Sequence, residues 1–83
     1  MRTHTVTESN VTHAGRHGDR LYVVIDEPRD EWNRALCATR WNDRPGNWEM
    51  TYEAVGDWSR IDERVLNDVL GKSFVVRNII SEY

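Results

Sequence analysis

The chain holds a single cysteine, Cys37, which excludes an intramolecular disulfide. A lone thiol fits a reducing cytoplasm, where the protein is expected. No apolar run approaches the ~20 residues that span a bilayer. The N-terminal MRTHTVTESN also lacks the apolar core of a signal peptide. A soluble protein with no membrane partner is the expectation. Lysine is nearly missing: Lys72 stands against ten arginines. Arginine is favoured where planar, bidentate recognition matters, but a GC-rich genome explains the same bias more simply. There is no basic excess either, since the net charge is −3. That weighs against a dedicated nucleic-acid binder, whose footprint is a net basic patch.

Catalytic and cofactor motifs are missing too. Gly71-Lys72-Ser73 resembles the end of a phosphate-binding loop, but Leu66 stands where that loop needs glycine. The run also follows a predicted helix instead of preceding one, so a helix cap explains it better. Leu21 to Glu27 has the form of an apolar strand closed by acids, a magnesium-holding pattern in nucleotide hydrolases. Without the loop it has no phosphate to serve. His4, His13 and His17 have no cysteine near them to complete a tetrahedral zinc set. Cys37 lacks a nearby base and orienting group, so it reads as a core residue. No cofactor and no metal are expected, and the chain is read as non-enzymatic.

What is present is pattern. Trp48, Met50, Tyr52 and Ala54 alternate with Glu49, Thr51 and Glu53, the period of a strand with one buried face. Ala35, Cys37, Thr39 and Trp41 alternate with Leu36, Ala38 and Arg40 upstream. Pro45-Gly46 suits the centre of a type II turn. A hairpin from Arg34 to Val55 with a four-residue loop then pairs Trp41 with Trp48, Thr39 with Met50, Cys37 with Tyr52 and Ala35 with Ala54. On the other face it pairs Arg40 with Glu49, opposite charges across the strands. The rival is a helix opening at Pro28, with Trp32 above Leu36.

The remaining elements frame this hairpin. Residues 1–13, with Thr3, Thr5 and Thr7 alternating, suit a polar edge strand or a frayed end. Ala14 to Asp19 reads as a turn. Leu21 to Ile25 is apolar on both faces and reads as a central strand. Pro28 lies in a polar connection, 26–33. A helix over about 59–70 is expected, capped by Ser59 and ended by Gly71. Its apolar face is Ile61, Val65, Leu66, Val69 and Leu70. A last strand from Phe74 to Ile80 is expected beside 21–26. The fold class is α+β: one small domain over 1–83, a four- or five-stranded mainly antiparallel sheet with one helix on one face.

A chain of this size buries only about 60% of its unfolded surface, so monomer and homodimer both remain open. Tryptophan and arginine carry much of the energy of protein interfaces. Trp32, Trp41, Trp48 and Trp58, with Arg40 and Arg44, are therefore the notable side chains. The expected partner-binding set is Arg40, Trp41, Asp43, Arg44, Trp48 and Glu49, at the hairpin tip. The competing explanation is that both hairpin tryptophans simply pack on the helix. The expected function is a small protein-binding module acting by occupying a partner surface. A regulator or inhibitor carried by a phage or other mobile element would fit. The alternative is single-stranded nucleic-acid binding through the same tryptophans and arginines.

Overall fold

The computed structural model describes residues 2–56 and 60–77. The strands are β1 (Thr3–Thr5), β2 (Val11–His17), β3 (Arg20–Ile25), β4 (Ala35–Trp41), β5 (Glu49–Glu53) and β6 (Ser73–Val75), with one helix, α1 (Glu63–Asn67), before β6. Strands β2 to β5 form one antiparallel sheet in sequence order, and β1 pairs with β6 in a two-stranded ribbon. The expected α+β class is the one observed.

Leu21 to Ile25 lies centrally, as its apolar composition requires, with β2 on one side and β4 on the other. Residues 35–41 are a strand and the helical alternative is absent there. Instead, 29–34 form a tight loop around Asp30. Its Oδ1 accepts from the backbone N–H groups of Trp32 at 3.0 Å and Arg34 at 2.8 Å, and its Oδ2 from Arg34 Nε at 2.7 Å. Asn33 turns this loop with φ 60°, a conformation asparagine tolerates better than most residues.

Four sequence expectations need correction. The hairpin register differs by one residue: Leu36 faces Tyr52, Ala38 faces Met50 and Thr39 faces Glu49. A one-residue shift moves every side chain of one strand to the other face relative to its partner. Ala14 to His17 belong to β2, and only Gly18 and Asp19 turn the chain. Glycine at 18, with φ 61°, supplies that turn. The helix is short, Glu63–Asn67, and is capped by Asp62, whose carboxylate accepts from Arg64 N–H at 3.0 Å. Ile61 lies outside it, 53% exposed, in a parallel bridge to Ala14. The last strand pairs with β1 and not with 21–26: His4 faces Phe74 and Thr3 faces Val75. The proposed cap Ser59, Trp58 and the end of that strand, 78–80, lie outside the described residues. Gly71 holds its expected left-handed position past the helix, at φ 83°.

The main core lies between one sheet face and α1. Ala14, Val23, Ile25, Leu36, Ala38 and Met50 meet Val6, Val65, Leu66 and Val69. Each valine, leucine, isoleucine or methionine among them stabilises the fold by about 1.5–3 kcal/mol when fully removed from water. The opposite sheet face carries a smaller cluster, Tyr22, Val24, Ala35 and Cys37, with Val55 packed on it. Arg60 and Asp62 bind the backbone of Ala14 at the β2 edge, at 2.7 and 2.8 Å. Arg77 N–H reaches Met50 C=O at 2.7 Å at the β5 edge. Each of these contacts uses backbone groups that an edge strand leaves open.

Candidate functional site at the end of the sheet

Two hairpin loops meet at one end of the sheet. The β2–β3 hairpin brings Arg16 at the end of β2 and Asp19 in its turn, and the β4–β5 loop brings Asp43 and Arg44. Asn42 N–H donates to Asp19 C=O at 2.7 Å and ties the two together. The sequence marks the second loop but not the first, because by composition Ala14 to Asp19 reads wholly as turn. The available signal was Gly18-Asp19 directly before the apolar strand, a two-residue pair of the kind that closes a tight hairpin.

Trp41 stands at the end of β4 and is 41% exposed. The Arg44 guanidinium carbon lies 4.2 Å from its ring centroid and that of Arg20, directly across on β3, lies 5.3 Å away. Both distances fall in the range where a cation is attracted to the ring. Asp43 Oδ1 and Oδ2 accept from Arg44 Nε and Nη2 at 3.1 and 3.3 Å. These bonds hold the Asp43 carboxyl below its ordinary range and raise Arg44. The nearby Arg16 also lowers Asp43, and Asp19 also raises Arg44. Arg16 forms its own ion pair with Asp19 at 3.8 Å. The surface is thus a projecting indole inside alternating charge.

The expected set divides here. Trp41, Asp43 and Arg44 come together. Trp48 does not join them: it packs, half-buried, against the main core on the other face. Arg40 faces that side also, and its Nε donates to Gly46 C=O at 3.2 Å. Glu49 is paired with Arg77, so the expected Arg40–Glu49 pair does not form. Trp32 is 58% exposed, but elsewhere, with the Arg34 guanidinium 5.1 Å from its ring.

The remaining chemical candidates lie apart. Glu27 accepts from Arg2 at 3.4 Å and lies 3.8 Å from buried His4. His13 Nδ1 bonds the Thr12 hydroxyl at 2.8 Å. Among the described residues no three His, Cys, Asp or Glu side chains gather as a metal site. Burial pushes the Cys37 thiol up to about 12, helped by the Glu53 carboxylate and opposed by Arg20 and Arg29. Such a thiol is a poor nucleophile at neutral pH. Among the described residues no helix is long and apolar enough to cross a membrane.

No family model matches the chain, and no curated protein or solved structure is significantly similar to it.

Proposed function

We propose that the protein is a non-enzymatic binding module that occupies the surface of a partner protein, as a regulator or inhibitor does, through the sheet end built around Trp41. One observation carries this reading: Trp41 projects into solvent with Arg44 and Arg20 ordered over its ring. An anchor already held in place loses little conformational freedom on binding. Tryptophan and arginine are also the residue types that dominate interface energetics. Asp19 and Asp43 give the patch both signs of charge, which suits register with a protein surface.

Single-stranded nucleic acid is the second reading, since an exposed indole stacks on bases and arginine binds phosphate. The carboxylates of Asp19 and Asp43 weigh against it, because each already engages the neighbouring arginine.

The test is capture from a lysate of the native host with four proteins: wild type, Trp41→Ala, Arg44→Glu and Trp32→Ala. A protein held by wild type and Trp32→Ala, but lost from the other two, is expected. Equal retention by all four would overturn the reading. Recovery of nucleic acid whose binding falls steeply with salt would favour the alternative.

A further inference from the structure

Beside Trp41 the second face of the sheet carries an ion pair. Arg20 Nη1 donates to Glu53 Oε1 at 3.3 Å, and Nη2 donates to Thr39 Oγ1 at 2.6 Å. Thr51 Oγ1 donates to Glu53 Oε2 at 2.6 Å. The two charged side chains are mostly withdrawn from water, at 35% and 20% exposure. Arg20 Nε is buried with no hydrogen-bond partner among the described residues. Such a group costs free energy. A mostly buried pair also contributes little net stability, because desolvation offsets the Coulomb attraction, and apolar residues of similar volume serve as well. Packing alone therefore does not account for the pair.

The site is open to a ligand. A cleft of about 240 Å³ lies over the pair, lined by His17, Arg20, Tyr22, Thr39, Glu53 and Ala54. Farther along the same face, Tyr22, Val24, Ala35 and Cys37 are buried, with Val55 against them. The apolar end of the face is closed and the polar end is open.

The geometry points to this cleft as the receptor for an uncharged carboxamide, the side chain of an asparagine or glutamine on the partner protein. Arg20 has more N–H donors than the two bonds use, and the Glu53 oxygens have lone pairs beyond those engaged. The cleft wall thus offers a donor beside an acceptor. A carboxamide matches both, its C=O accepting from Arg20 and its NH2 donating to Glu53. A carboxylate would meet Glu53 with like charge, and an ammonium would meet Arg20 likewise. The guanidinium and carboxylate offset each other, so neither ion gains net attraction. The partner that bears the carboxamide rests on the protein-binding reading above; the chemistry of the cleft is tested without it.

The experiment is an NMR titration of the whole chain with propionamide, sodium propionate and propylammonium chloride at matched ionic strength. Propionamide is expected to shift the amides of Tyr22, Thr39 and Glu53 saturably, and to bind more tightly than either ion. Arg20→Leu is expected to weaken it about tenfold, the loss of one charge-assisted hydrogen bond. Glu53→Gln keeps the shape, removes the offsetting charge and should turn the preference toward propionate. That reversal is a result a purely structural pair does not give. If either ion binds wild type as tightly as propionamide, or no saturable shift occurs at these residues, the cleft assignment is overturned. Propionamide binding alongside lysate capture indifferent to Trp41 would keep the cleft and remove the sheet-end reading. The converse would remove the cleft alone.

Discussion

Trp41 and Trp48 lie on opposite sides of one sheet: the first projects from the face of Tyr22 and Thr39, and the second, just before β5, packs on the main core. The two rings therefore have different energetic roles. Trp48→Ala is expected to cost about 2–3 kcal/mol, somewhat below the 3–5 kcal/mol of a fully buried large aromatic. Trp41→Ala is expected to cost under ~1 kcal/mol, as exposed positions do. Urea unfolding of both variants checks this. A larger cost at Trp41 would mean the ring serves the fold instead of a partner.

The strands were legible because their periods are strong. Trp48 to Ala54 alternates cleanly, and Leu21 to Ile25 is apolar throughout, so β5 and the central β3 were placed from composition. The register was not legible, because Ala35 to Thr39 is buried on both faces. Small residues on both sides of β4 remove the alternation that would have fixed which side faces the helix. The assumed four-residue loop then decided the pairing, and the observed connection from Asn42 to Trp48 is longer. The partner of β6 was hidden for a related reason: an apolar run shows burial without naming its neighbour. Of the site, Trp41, Asp43 and Arg44 were found as a local cluster. Arg16, Asp19 and Arg20 reach it only through strand pairing across β3 and β4.

Gly15 faces Tyr22 across the β2–β3 pair, and a Cβ at position 15 would stand 3.1 Å from the tyrosine oxygen. The ring occupies the space a side chain would fill. Gly15→Val is expected to destabilise by about 1–3 kcal/mol, the usual cost of overpacking. Gly15→Val combined with Tyr22→Leu should recover part of that loss, since the clash is between these two side chains. Denaturant midpoints of the single and double variants decide it, and strictly additive costs would sink the explanation.

Asp30 organises the loop that leads into β4. Burial alone would raise its carboxyl, but the hydrogen bonds from the backbone and side chain of Arg34 prevail and hold it below the ordinary value. Its contribution to stability is therefore present above the unfolded carboxyl pKa, ~3.9, and is lost as pH falls through the depressed folded value. Asp30→Asn keeps an acceptor for the Trp32 and Arg34 N–H groups and should lower the melting temperature less than Asp30→Ala. Equal losses in the two variants would show that the charge, and not the backbone bonds, holds the loop.

Cys37 provides the clearest pH dependence. The folded protein keeps its thiol proton up to about 12, chiefly because the side chain is buried. The unfolded chain releases that proton near ~8.5. Between those values unfolding is accompanied by proton release, so stability falls as pH rises. Tyr22 has the same sign: burial raises its hydroxyl, with Arg60 opposing and Cys37 adding to the rise. Its effect begins higher, near the ordinary tyrosine value of ~10. Cys37→Ala should therefore flatten the stability profile from ~8.5 upward, while Tyr22→Phe flattens only its upper part. A thiol reagent should label the native protein slowly and the urea-unfolded protein at once. Rapid labelling of the native state at neutral pH would mean that the second face of the sheet opens far more readily than its packing implies.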